Sequence, residues 1–282
     1  FMKTHRGFDT GNIPFASYPY YPGYSAVGEV VEVGSEVDTV GKGDMVRFSG
    51  RHATYSKAKA SGVGRLPDGM DPQVAAFHSI VGHAMTGPRL APPRFGENVV
   101  VVGLGLIGNL TSQLFGLAGA GVVAGADLSG FRLKKAREAG SIDAAFNVME
   151  RSLTDWVDDL GPYGAELIVD AVGAESSVDS SFKAVADKGR VLLLECSRKT
   201  MPFDPYSDIH WKGVTVIGGH SNNVDPAIRV RDRDFIISLL AAERVRVREL
   251  ITHRVPYAEA QSAYEGLRDK TEEYLGVVIT YE

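Results

Sequence analysis

Cysteine is nearly absent from this 282-residue chain, which has Cys196 alone. One thiol cannot form an intrachain disulfide or a cluster of thiolate zinc ligands, and both exclusions favour a reducing, cytoplasmic setting. Long apolar runs are missing too. Residues 98–106 form one of the longest, far short of the ~20 needed to cross a bilayer. No signal peptide is visible, although the opening Phe1-Met2-Lys3 leaves open whether the natural N-terminus is included. A basic excess is also lacking, with 30 Lys and Arg against 35 Asp and Glu and a net charge of −5. Such a balance disfavours the phosphate neutralisation on which most nucleic-acid binders depend. Short-period repeats and low-complexity segments do not occur. With 44% hydrophobic and 23% charged residues the chain has a globular composition, which excludes a disordered or fibrous one.

Glycine is plentiful, and its placement organises the chain. Pro14, Pro19 and Pro22 punctuate a tyrosine-rich opening (Tyr18, Tyr20, Tyr21, Tyr24). Residues 28–34 are β-branched between glycines and predict a strand; Gly41-Lys42-Gly43-Asp44 predicts a tight turn, and 45–48 another strand. Short strands on glycine turns suggest a small antiparallel barrel or sandwich. From about residue 95 the rhythm becomes strand, helix, strand, helix. Strands are expected at 98–102, 121–126, 144–147, 166–172, 191–195 and 214–218, and helices at 106–117, 131–139 and 153–160. That alternation implies right-handed crossovers and a parallel sheet covered on both faces. A helix around 232–242, an amphipathic helix at 257–267 and a strand at 275–280 complete the chain.

The chemistry-bearing motif is Gly103-Leu104-Gly105-Leu106-Ile107-Gly108, a G-x-G-x-x-G between a buried strand and a helix. Gly103 would permit the tight turn, Gly105 the approach of a pyrophosphate, and Gly108 the packing of helix on strand. Leu106 and Ile107 open the helix, whose N-terminal N–H groups and dipole suit phosphate. Asp127 lies 19 residues after Gly108, where a carboxylate should accept the ribose hydroxyls and repel a 2′-phosphate. Leu128 follows it. Arg132 complicates the choice, since a nearby arginine can bind that phosphate, but NAD(H) is favoured over NADP(H).

Together these residues resemble a medium-chain dehydrogenase/reductase, the superfamily of zinc alcohol, threonine and sorbitol dehydrogenases and quinone reductases. The matching pieces include Pro22-Gly23, Gly28-x-Val30-x-x-Val33-Gly34, Gly43-Asp44-x-Val46 and Leu66-Pro67-Asp68-Gly69-Met70. To these add 103–108, Asp127, Asp170-Ala171-Val172-Gly173 and His253-Arg254-Val255-Pro256. The resemblance implies a Rossmann doubly wound parallel sheet, order 3-2-1-4-5-6, and a GroES-like β-barrel domain. Expected bounds are 1–81 for the N-terminal part of the barrel, 82–222 for the nucleotide-binding domain and 223–282 for the return. Ala171, Val172 and Cys196 would line the cofactor edge. A homodimer through the outer strand of the Rossmann sheet is implied, with a small-molecule substrate and neither nucleic acid nor membrane as partner.

Departures from the family carry as much weight. Zinc members read Gly-His-Glu where this chain has Gly23-Tyr24-Ser25, and the segment between Val46 and Leu66, expected to hold structural zinc, has no cysteine. The remaining cysteine ligand falls near Phe77-His78-Ser79, and His78 alone does not make a zinc site. No metal is therefore expected. The family's first strands would precede Phe1. The Pro-Gly-Tyr variant is similar to the branch near bacteriochlorophyllide dehydrogenase and threonine-dehydrogenase-like proteins. The expected activity is hydride transfer between nicotinamide and an alcohol or ketone, with a sugar, polyol or ring-bearing substrate equally suited to the tyrosines. Tyr24 is the leading proton donor, Ser25 a second hydrogen bond, and His78 an orienting or relaying group. His5, His52, His83, His210 and His220 read as surface or packing residues, and His253 as structural. Alternatives are an NADPH-dependent quinone or enoyl reductase, which Asp127 argues against, and a non-catalytic dinucleotide-binding protein.

Overall fold

The computed structural model describes residues 21–196 and 200–281. Pro14, Pro19, Tyr18, Tyr20 and His5 lie outside the described residues. The chain divides into two compact units, one holding residues up to Ser79 together with those from Ile251 onward, the other Ile80–Leu250.

In the first unit β1 (Ala26–Glu29) pairs antiparallel with β2 (Met45–Phe48), which pairs with β3 (Gly64–Arg65). β1 is shorter than the expected 28–34, but its ladder continues through Val30, whose N–H donates to Asp44 and whose carbonyl accepts from Gly43. The glycine turn is formed as its sequence requires. Gly43 sits at φ 91°, and Asp44 Oδ2 accepts the Gly41 N–H at 2.9 Å. Helix α1 (Pro72–Ala75) follows, capped by Asp71 with proline in its first turn.

Helix α2 (His78–Leu90) carries the chain into the second unit. There β4 (Asn98–Val102) is followed by α3 (Leu106–Leu117), β5 (Val122–Asp127), α4 (Gly130–Glu138), β6 (Ala144–Asn147) and α5 (Leu153–Val157). The second half runs β7 (Ala165–Asp170), α6 (Glu175–Ala184), β8 (Val185–Leu193), β9 (Thr215–Gly218) and α7 (Pro226–Ala241). All six strands are parallel, in the order β6-β5-β4-β7-β8-β9. Renumbered within the sheet, this is 3-2-1-4-5-6, the doubly wound Rossmann order. Alternate residues of β4 enter opposite cores. Val100 and Val102 join Phe146, Ile168 and Val191 on one face, and Val99 and Val101 join Phe115, Leu167 and Leu192 on the other. That double burial accounts for the unbroken valine run.

Residues 223–250 stay with the second unit, and the return to the first comes at Ile251. The reason is visible in α7, where Asp232 forms a bidentate ion pair with Arg89 of α2 and Ile236 lies against Gly82. In the returning segment β10 (Ile251–Pro256) pairs parallel with β11 (Gly276–Thr280), separated by α8 (Ala260–Asp269). His253 stacks on Tyr274 with 3.5 Å between ring centroids and bonds the Thr252 hydroxyl.

Candidate functional site

The sheet order reverses between β4 and β7, and the crevice at the carboxyl ends of the strands beside such a switch is where open α/β sheets bind ligands. The glycine turn, Asp127, Ala171, Val172 and Cys196, expected to hold the cofactor, lie at or just beyond those ends. Gly103 leaves β4 at φ 90°, and a Cβ on it would lie 2.4 Å from Val172 Cγ2. The turns after β4 and β7 therefore touch at a position only glycine can fill. Gly108 is tighter still: a Cβ there would lie 1.8 Å from the Gly103 carbonyl oxygen. At Gly105, the N-cap of α3, a Cβ would meet nothing within 4 Å. The protein leaves open the one position where a ligand needs to approach the backbone, and the first-turn N–H groups of α3 have no partners within the helix. These features fit the pyrophosphate of a dinucleotide.

Asp127 ends β5 and is 7% exposed. Its Oδ2 accepts the Leu104 N–H at 2.7 Å and its Oδ1 the Ser129 N–H at 2.8 Å; Arg132 Nη1 stands 3.7 Å from Oδ2. One carboxylate thus ties the glycine turn to the cap of α4. With about four lone-pair positions on a carboxylate, acceptor capacity remains for hydroxyls. Leu128 beside it is 65% exposed. On the other side of the switch, Asp170 is fully buried. Its Oδ1 accepts the Val172 and Gly173 N–H groups at 2.9 and 2.6 Å, and burial pushes its carboxyl up from the ordinary range. Val172 is half exposed and Cys196 is exposed, while Ala171 is anchored by its N–H to the Val102 carbonyl.

Sequence reading passed over Asn109, which immediately follows the last glycine. It is fully buried and clamps the turn, Nδ2 donating to the Leu104 carbonyl at 2.7 Å and to that of Gly105 at 3.2 Å. The signal was a carboxamide at a helix position flanked by Ile107, Leu110 and Leu114. His83, expected at the surface or in packing, has a side chain 41% exposed and places its Nε2 3.2 Å from Glu195 Oε1 at the exit of β8.

The expected catalytic trio belongs to the first unit, where Ser79 links its members. Ser79 Oγ donates to the Tyr24 carbonyl at 3.2 Å and lies 3.3 Å from His78 Nδ1, and its N–H donates to Ser25 Oγ at 3.4 Å. Ser25 Oγ in turn donates to the Ala76 carbonyl at 2.6 Å. Ser25 is therefore engaged in holding the chain ahead of α2, and His78 is buried, whereas the Tyr24 residue is 59% exposed. His52 packs on Gly23 and bonds the Tyr264 hydroxyl at 2.9 Å, and burial lowers its pKa. Among the described residues no three His, Cys, Asp or Glu side chains gather as a metal site.

The chain is similar to known dehydrogenases in sequence and in fold. Residues 107–231 match the zinc-binding dehydrogenase family, a span that lies within the second unit. The chain is 27% identical over 280 residues to an L-threonine 3-dehydrogenase of Bacillus licheniformis, covering 89% of this chain and 79% of that one. It is 28% identical over 308 residues to an L-galactonate-5-dehydrogenase of Escherichia coli, covering 96% and 86%. The solved structure of an alcohol dehydrogenase from Thermus sp. ATN1 has the same fold, with a TM-score of 0.80 at 22% identity over 99% of this chain and 88% of that one.

Proposed function

We propose that this chain, similar to zinc-binding dehydrogenases and to threonine and galactonate dehydrogenases, is a medium-chain dehydrogenase/reductase, an oxidoreductase that interconverts an alcohol and its ketone with NAD(H), without zinc. The observation that carries this reading is the glycine turn at the switch point, with an open Gly105 and a carboxylate at the end of β5. When bound, nicotinamide takes or gives the hydride. The chain supplies the rest. Gly103–Gly108 and the start of α3 hold the pyrophosphate, Asp127 the adenosine ribose, and Ala171, Val172 and Cys196 the nicotinamide edge.

The proton is assigned to Tyr24. In reduction its phenol donates to the alkoxide oxygen left by hydride delivery, and in oxidation the phenolate takes that proton back. Ser25 and His78 keep the segment in place through Ser79. Tyr24 and Ser25 stand where relatives that use zinc carry His and Glu, which supports a reaction run on hydrogen bonds. Binding titrations against NADH, followed by turnover assays across alcohols, ketones and activated alkenes, test the whole reading. A protein that binds NADH but turns over none of them would be the non-catalytic alternative.

Cofactor choice follows from Asp127. Its carboxylate faces the position of a 2′-phosphate with like charge, so NAD(H) is expected to bind more tightly than NADP(H). Asp127→Ser is expected to narrow that preference, because Arg132 then faces the phosphate without its acidic neighbour 3.7 Å away. Affinity for both cofactors should also fall, since the Leu104 N–H loses its acceptor. A wild-type protein that prefers NADPH sinks the assignment.

Assembly is expected to follow from β9. Among the described residues this strand ends the sheet and pairs with β8 alone, and it leaves Val216 39% exposed. An uncovered apolar edge favours pairing with a second copy about a two-fold axis. Light scattering at micromolar concentration should report a dimer; a monomer at that concentration removes the idea.

A further inference from the structure

The nucleotide-binding unit repeats itself. In its first half β4 leads through a turn with a positive-φ glycine into α3, and β5 ends in Asp127. In its second half β7 leads through a turn with Gly173 at φ 72° into α6, and β8 is followed by Glu195. Each half of such a fold serves one mononucleotide. Val102 pairs with Ala126, so Asp127 lies one position beyond the ladder. Asp170 pairs with Leu193, so Glu195 lies two positions beyond it.

The two carboxylates differ in what surrounds them. Asp127 is buried and bound to backbone N–H groups. The Glu195 side chain is 40% exposed, and among the described residues its partner is His83 Nε2 at 3.2 Å. An ionised carboxylate has no proton to give, so in this contact the imidazole donates and the second carboxylate oxygen stays available. The backbone beneath is firmly placed. The Leu194 and Glu195 N–H groups donate to the Asp170 carbonyl at 2.9 and 3.0 Å, and a Cβ on Gly173 would lie 2.8 Å from the Cys196 nitrogen. Asp127 marks the β5 side of the switch as the adenosine side. The remaining mononucleotide then lies over β7 and β8, where Glu195 stands.

We propose that Glu195, held by His83, is the subsite for the nicotinamide-side ribose, its carboxylate accepting that sugar's hydroxyls as Asp127 does for the adenosine ribose. Glu195 is the binding residue and His83 a positioning residue. The inference rests on the dinucleotide reading above and refines it.

Binding of NADH and of ADP to the same proteins tests it, because ADP carries the adenosine ribose and pyrophosphate but no second sugar. Glu195→Ala is expected to weaken NADH about 10- to 100-fold, the scale of a lost hydrogen bond to a charged group, with ADP affinity unchanged. His83→Ala is expected to weaken NADH when Glu195 is present and to add nothing in the Glu195→Ala background. NADH affinity equal to wild type in Glu195→Ala overturns the proposal. So does a parallel loss of ADP, which would mark Glu195 as a prop for the sheet edge. Wild-type protein that binds neither ligand overturns the dinucleotide reading itself, and this subsite with it.

Discussion

Gly105→Ala is expected to leave the fold intact and cripple cofactor binding, while Gly108→Ala damages both. At residue 105 the added methyl meets, among the described residues beyond its chain neighbours, no atom within 4 Å, and the backbone is already extended at φ −62° and ψ −175°. Unfolding stability should therefore stay within about 0.5 kcal/mol of wild type. The methyl occupies the path of the pyrophosphate instead, and an overpacking cost of about 1–3 kcal/mol on the complex corresponds to about a 5- to 150-fold rise in the NADH dissociation constant. At residue 108 the methyl would stand 1.8 Å from the Gly103 carbonyl oxygen, so the turn or the helix must move. That displacement should lower stability by about 1–3 kcal/mol or more and abolish measurable NADH binding. Chemical denaturation and NADH fluorescence titration on the two variants separate the effects. Full NADH affinity in Gly105→Ala would place the pyrophosphate elsewhere.

Tyr24→Phe is expected to lower turnover by ~10²-fold or more, the usual scale for a lost acid–base group, with NADH binding unchanged. The substitution removes one oxygen from a residue that is 59% exposed and whose backbone carbonyl, held by Ser49 and Ser79, is untouched. Chemical denaturation of the same variant measures any change in stability, so that a fall in turnover can be read as chemistry. Ser25→Ala is a poor substitute for this experiment. It deletes the 2.6 Å hydrogen bond to the Ala76 carbonyl and confounds folding with catalysis. In the same preparations, metal analysis should find no stoichiometric zinc, and activity should survive a chelator. Unchanged turnover in Tyr24→Phe assigns the proton to another group, and activity lost to a chelator returns the reaction to a metal.

Much of the nucleotide-binding unit was legible in one dimension because its parts are local. A strand buried on both faces reads as an apolar run, and β4 and β6 lie where the pattern puts them. The helix after the glycines also carries its period in its own residues. The glycine turn is legible for the same reason, since positive φ is a property of one residue. Helices α2 and α6 were not legible. Residues 78–90 contain Gly82, Gly87 and Pro88, which read as breakers, and 175–184 contain four serines of low helix propensity. Both are helical because packing outweighs propensity. Gly87 lets α2 come within contact of Thr111 and Phe115, and α6 is the cover required by the parallel crossover from β7 to β8, with Phe182 in the core.

The residue pattern by itself thus determined the succession of the six parallel strands, the helices other than α1, α2 and α6, the glycine turn and the acid that follows it, because each is written in neighbours along the chain. Only the tertiary structure decided which side chains answer one another across it. Asp127, expected to meet ribose hydroxyls, also accepts the Leu104 N–H of the glycine turn, Asn109 locks that turn from inside α3, and Ser79 links Tyr24, Ser25 and His78. His83 meets Glu195 across 112 positions of sequence, a separation at which local periodicity carries no information. Such pairs exist because the sheet brings the carboxyl ends of distant strands into one row. Burial then selects which polar groups must find partners there.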